Sequence, residues 1–197
     1  METNTNWFTK YMYPKKWRAH DIVALAMMVA VIEVLKRVLD FLPNVELVTL
    51  LLIVFTIFYG KKIILVAVAF TMVETFYWGV HVWVVMYLYM WPSLILIVDL
   101  TRKYASKWFY CILSAVYGLF FGFFCAVPYI FLGGIRTAFA WWIAGIPYDV
   151  VHCVSNFIVC MVLFSPLCRV MERVTQFSGR HENAESIQNS KEGSKTL

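Results

Sequence analysis

The chain has 197 residues, 61% of them hydrophobic and 15% charged, with a net charge of +5 and a mean hydropathy of +0.71. Soluble domains run nearer about 45–50% apolar and about 25% charged. Disorder is therefore excluded, a soluble enzyme has no way to hide so much apolar surface, and a membrane-embedded chain is the simplest reading. At about 20 residues per crossing, the apolar part holds roughly six helices and leaves no room for a separate catalytic or nucleotide-binding domain.

Residues 1–20 read as a polar, aromatic and basic cytosolic lead, with no apolar core or small-residue cleavage site of a signal peptide. The first apolar run spans Ile22 to Leu39 and carries Glu33, Lys36 and Arg37. Pro43 and Asn44 predict a turn. The second run, Val45 to Tyr59, ends at Gly60-Lys61-Lys62. The stretch Ile63 to Val98 is too long for one crossing and is split at Trp78-Gly79 into helices over 62–77 and 82–99, the second kinked at Pro92. A basic loop, Thr101 to Lys107, precedes a fifth helix over 108–132. Gly133-Gly134 and Pro147 bound an aromatic loop holding Trp141 and Trp142, and a sixth helix covers 148–171. The polar segment 173–197 is expected to be a disordered cytosolic tail. The domain plan is thus a lead, a membrane domain over 21–172 and a tail.

Basic residues orient the chain. With the N-terminus inside, the inner segments carry Lys10, Lys15, Lys16, Arg18, Lys61, Lys62, Arg102, Lys103, Lys107, Arg169, Arg173 and Arg180, and the outer ones only Lys36, Arg37 and Arg136. The expected fold is an all-α integral membrane protein, a six-transmembrane-helix bundle with both termini cytosolic. The clustering of these charges between apolar runs is a topology signal, so no nucleic-acid partner is expected. The five cysteines lie in apolar runs without a Cys-x-x-Cys pair and read as small buried side chains.

Polar groups within apolar helices are costly and face protein or a water-filled cavity. Glu33 and Arg37 stand at i,i+4 with Lys36 beside them, as a self-neutralising ion pair or as the polar wall of a site. Glu46 falls in the first turn of helix 2, suited to capping or to a ligand. Glu74 is the only charge between Lys62 and Asp99. The following stretch, with Trp78 and His81, reads as an interfacial aromatic belt or as a lid over a pocket. Asp149, His152 and Asn156, at i, i+3 and i+7, share one face of helix 6 below a loop with Arg136, Trp141 and Trp142. That face is a polar seam between helices or a solute contact. One His and one Asp are too few for a metal site, and Ser155 has no nucleophile setting. Ala26-x-x-x-Ala30 and Gly118-x-x-x-Gly122 permit close helix approach, with packing inside the chain as the default use of both.

Several of these features together resemble the substrate-binding S component of an energy-coupling factor (ECF) vitamin transporter, over about residues 20–172. They are the six-helix layout, Ala26-Met-Met-Val-Ala30, Phe41-Leu-Pro-Asn-Val-Glu-Leu-Val-Thr49, and Gly145-Ile-Pro-Tyr-Asp149 leading into His152 and Asn156. The resemblance implies a multi-pass protein of the bacterial plasma membrane that is not itself an enzyme and needs no cofactor. It implies partners: a transmembrane T component, docked through Ala26 and Ala30, two cytosolic ATPase subunits, and membrane lipid. The substrate would be a vitamin or related micronutrient, bound at the outer side by Glu33, Arg37, Asn44, Glu46, Glu74, Trp78, His81, Arg136, Trp142, Asp149, His152 and Asn156. Aromatic loops suit a ring-bearing solute such as a cobalamin, a flavin or a pterin, and Arg136 suits a pantothenate-like acid. The competing readings are a small membrane enzyme acting on a lipid through Asp149, His152 and Glu74, and a membrane scaffold protein.

Overall fold

A computed structural model describes residues 19–42 and 44–193, with side chains over 21–42 and 44–176. The lead, up to residue 18, lies outside the described residues. Those residues form α1 (Ala19–Leu39), α2 (Val48–Tyr59), a 3-10 turn (Gly60–Ile63), α3 (Ile64–Trp78), α4 (Val82–Thr101), α5 (Lys107–Leu119), α6 (Phe121–Ala126) and α7 (Tyr129–Gly193), with no strand among them. Three helical stretches are long and apolar enough to cross a membrane: Val48–Trp78, Val82–Thr101 and Tyr129–Gln176. α1 has 21 residues but carries Asp21, Glu33, Lys36 and Arg37, and α5 has only 13 residues.

The breaks fall where the backbone needs special residues. Gly60 (φ 60°) and Gly79 (φ 82°) end α2 and α3 at positive φ, which glycine adopts without steric cost. Ser106 caps α5 by accepting the Phe109 N–H at 3.4 Å. α4 runs unbroken past Pro92, and the Ser93 hydroxyl beside it donates to the Met90 carbonyl at 2.7 Å.

Three expectations are corrected. The helix expected over 108–132 is broken at Phe120 (φ −97°, ψ 9°), which separates α5 from the six-residue α6. The loop expected over 133–147 is helical. The only non-helical residue inside α7 is Gly134 (φ 79°, ψ 174°), and Pro147 sits within the continuing helix. An apolar helix tolerates proline when neighbouring groups satisfy the freed carbonyl, and the alanines at 138, 140 and 144 favour helix between Gly134 and Pro147. The tail expected to be disordered continues α7 as far as Gly193. Extending a packed helix avoids the nucleation cost that a separate segment would face.

Side-chain pairs fix the direction of each pass. Asp21 at the start of α1 meets Lys62 between α2 and α3 at 3.2 Å, while Lys36 and Arg37 at its other end meet Glu74 near the end of α3. α2 therefore runs back along α1, and α3 runs with it. α5 and α7 lie antiparallel: Asn156 reaches the Ser114 carbonyl at 3.3 Å, and the Tyr110 and Phe164 rings stack at 5.5 Å. They approach closely at Gly118, where a Cβ would stand 2.8 Å from the His152 carbonyl oxygen. The Gly118 pattern thus serves packing within the chain, as read from sequence. Ala26 and Ala30 do not, because both are exposed.

α2 is the centre of the core. Every residue from Val48 to Phe58 is buried, as expected of a helix that is apolar all round. The outer helices instead turn Met27, Val34, Leu88, Ile112, Ile158 and Val162 outward. Exposed apolar side chains on so many helices fit a lipid surround rather than water.

Candidate functional site

The end of the bundle holding Arg37 and Glu74 encloses a cavity of about 220 Å³. It is lined by Lys36, Leu39, Asp40 and Leu42 from the end of α1 and the turn after it. Asn44, Val45, Glu46 and Val48 lead into α2, Tyr87 and Trp91 come from α4, Phe121 from α6 and His152 from α7. Residues 106 positions apart in the chain thus meet across one space: His152 Nε2 lies 3.5 Å from Glu46 Oε1.

Local structure fixes these groups. Glu46 precedes α2, and its carboxylate accepts the Thr49 N–H at 3.0 Å and the Thr49 hydroxyl, satisfying a backbone donor that the helix start leaves free. Burial alone would raise the pKa of Glu46. The His152 hydrogen bond and charge, together with the two bonds from Thr49, outweigh it and hold the carboxyl below the usual glutamate value. Asn44 adopts φ 58°, a conformation asparagine tolerates better than most residues. Its carbonyl accepts the Ser155 hydroxyl at 2.6 Å, which ties the α1–α2 turn to α7. The Phe121 ring packs on the His152 imidazole at 4.9 Å, and Tyr87 and Trp91 pack together at 5.4 Å.

A charge cluster adjoins the cavity. The Glu74 carboxylate, 2% exposed, accepts from both Lys36 and Arg37. Arg37 also lies 3.5 Å from Glu33 and 3.3 Å from Asp40. Its guanidinium stacks over Tyr77 at 4.1 Å and faces Trp78 at 5.5 Å, a cation–π arrangement that draws the end of α3 over the cluster.

The residues predicted from sequence divide into groups. Asn44, Glu46 and His152 line the cavity; Glu33, Arg37, Glu74 and Trp78 form the adjacent cluster. Asp149 and Asn156 are buried on the same face as His152, but they turn to α6 and α5. Asp149 Oδ1 accepts the Gly122 N–H at 2.9 Å and Asn156 Nδ2 donates to Ser114. They form a polar seam and do not line the cavity. His81 lies against Trp83 at 5.4 Å and lines a separate, mainly apolar cleft with Tyr89 and Phe131. Arg136 is exposed, and Trp142 packs on Phe123 at 5.4 Å. Both stand on the part of α7 preceding Asp149, away from the cavity, because the loop expected to carry them is helical.

Sequence reasoning missed Tyr87, Trp91 and Phe121 as lining residues. The i,i+4 spacing of Tyr87 and Trp91 was the available signal, hidden among the other aromatic residues of α4. Among the described residues no three His, Cys, Asp or Glu side chains converge as metal ligands would. The arrangement offers two carboxylates, an imidazole, an ammonium group and three aromatic rings, a set suited to holding a small polar ring compound. No family model, no curated protein and no solved structure matches this chain.

Proposed function

We propose that this chain is the membrane-embedded, substrate-binding subunit of an ECF-type transporter that takes up a vitamin or related micronutrient. The carrying observation is the 220 Å³ cavity, where Asn44, Glu46 and His152, three residues of the sequence phrases that resemble this family, converge from two distant parts of the chain. A ligand site of this kind is concave and largely aromatic, with few, well-placed polar groups.

In this reading the chain crosses the bacterial plasma membrane six times, both termini lie in the cytosol, and the cavity opens to the outer side. The pairing of Asp21 with Lys62 at one end and of Arg37 with Glu74 at the other supports alternating passes, and the basic loops support the orientation. The exposed Ala26 and Ala30 are free to meet a T component, which with two cytosolic ATPase subunits would supply the energy. The polar groups would hold the solute while the apolar belt lets the subunit move in lipid.

The test is to purify the full chain from cells grown in rich medium, denature it and analyse the extract by mass spectrometry. A stoichiometric small solute supports uptake. Turnover of a lipid by the isolated chain, or no bound solute at all, would refute it.

A further inference from the structure

The deeply buried carboxyl groups of this bundle differ in their company. Asp21 faces Lys62 at 3.2 Å, and Glu74 accepts from Lys36 and Arg37. Asp149 is 4% exposed, yet among the described residues its one hydrogen bond comes from a neutral group, the Gly122 N–H. Its two oxygens are unlike. Oδ1 accepts that bond at 2.9 Å, while Oδ2 is sealed in the interior without a partner.

The backbone explains the single bond. In an unbroken helix the Gly122 N–H would go to the Gly118 carbonyl. The break at Phe120 separates α5 from α6, and the N–H goes to Asp149 instead. A charged carboxylate offers about four acceptor sites, so one N–H leaves most of them empty. The surroundings are apolar. Asp149 lies within the stretch Tyr129–Gln176, and its neighbours Val150 and Val151 face outward. A carboxyl group there is far cheaper to bury neutral than charged.

The titratable groups that face Asp149 bring no permanent positive charge. They are Cys125 of α6 and His152, one turn along α7. His152 turns its Nε2 to Glu46 at 3.5 Å. From α5, Gly118 packs on α7, and the Tyr117 hydroxyl pairs with Ser93 at 3.0 Å. A metal ion needs several oxygen ligands and has no room beside the sealed Oδ2. A proton needs none.

We infer that Asp149 is a proton-binding site, its Oδ2 protonated at neutral pH, and that release of this proton to water loosens α6 from α7. Protonation leaves Oδ1 as the acceptor for Gly122 and makes Oδ2 a neutral hydroxyl, which matches the unlike oxygens. Loss of the proton would set a charge against the backbone of α6. Phe121 of α6 packs on His152 at 4.9 Å and lines the cavity, so the proton holds one wall of that space in place. The inference stands apart from the uptake reading and holds for any solute.

Infrared spectroscopy of the purified full chain in lipid at neutral pH tests it. A carboxylic-acid carbonyl band that shifts in heavy water is expected in the wild type. It should be missing from Asp149→Asn, which keeps the shape without the proton. It should persist in Glu33→Gln, since Glu33 has Arg37 at 3.5 Å. Carbon-13 labelling of the four aspartates in the wild type should move the band without any substitution. The other three, Asp21, Asp40 and Asp99, each face a lysine or arginine. Hydrogen exchange over Phe121–Ala126, corrected for its intrinsic pH dependence, should rise on alkalinisation in the wild type and stay flat in Asp149→Asn. No aspartate band in the wild type, a band unchanged in Asp149→Asn, or an equal rise in exchange in both proteins overturns the inference.

Discussion

The Gly122 N–H donates to the Asp149 carboxyl group across 2.9 Å, and any side chain at residue 122 would have to displace that group. A Cβ there would lie 2.5 Å from Asp149 Oδ2. This contact holds the short helix α6 on α7 and so places Phe121 against His152 at the cavity wall. Gly122→Ala should lower stability by about 1–3 kcal/mol, the usual cost of overpacking a filled interior, and should weaken solute binding through Phe121. Gly145→Ala is the control. Nothing lies within 4 Å of its added methyl group, so thermal unfolding should show no loss there.

Glu74 anchors two cations from a position only 2% exposed, while Lys36 and Arg37 keep 20% and 27% of their side-chain surfaces open. Glu74→Ala should therefore cost less than the about 3–5 kcal/mol of a fully buried broken pair and more than the about 1 kcal/mol of an exposed one. Replacing Lys36 with methionine in the same variant should recover part of the loss in thermal unfolding, because Lys36 has lost its partner whereas Arg37 still faces Glu33 and Asp40. Failure to recover would mean that packing of the Glu74 side chain, not charge pairing, matters at this position.

Ala26 and Ala30 lie one turn apart on the exposed face of α1. Small residues let helices approach closely, and nothing among the described residues uses this face. Ala26→Trp or Ala30→Trp should abolish transport by the assembled complex and leave solute affinity of the isolated chain unchanged. Equal loss of both would assign the two alanines to the chain's own fold.

Glu46 stands outside the apolar spans and titrates where it can be followed. Burial opposes its charged form, but the bonds from His152 and Thr49 prevail and depress its pKa. A depressed carboxylate stabilises the fold fully above its unfolded pKa, and that contribution disappears as the pH falls through the folded value. Acidification through and below the usual glutamate range should therefore lower the melting temperature, and Glu46→Gln should flatten that part of the profile. A wild-type profile identical to that of Glu46→Gln would exclude the carboxylate as its source.

Much of the helix order is legible in the residues themselves. Gly60 and Gly79 mark real ends, because each requires positive φ. Gly133-Gly134 and Pro147 look like equally good loop boundaries, yet only Gly134 breaks the helix, since an apolar helix accommodates proline. The shared face of Asp149, His152 and Asn156 follows from helical spacing. Which neighbour each one meets does not, because it depends on where α2, α5 and α6 come to rest. Tyr87 and Trp91 escaped notice for the same reason: the spacing that turns them inward also describes rings facing lipid.

His152 and Asn156 are the pair that separates cavity from seam. They stand one turn apart on α7 and are 4% and 2% exposed. His152 faces Glu46 across the cavity, whereas Asn156 donates to the Ser114 carbonyl of α5 at 3.3 Å. Asn156→Ala removes one interhelical hydrogen bond, the Ser114 carbonyl keeping its bond within α5, which should cost about 0.5–1.5 kcal/mol of stability. Solute affinity in the folded fraction should not change. His152→Gln keeps a hydrogen-bonding group near Glu46 but removes the imidazole that Phe121 packs against. It should weaken solute binding by roughly 10-fold, or about 1.4 kcal/mol, with a smaller change in melting temperature than Asn156→Ala. Measuring melting temperature and affinity on both variants gives four numbers with an expected crossing pattern. If Asn156→Ala weakens binding while His152→Gln does not, the solute lies between α5 and α7 and the cavity beside Glu46 is not its site.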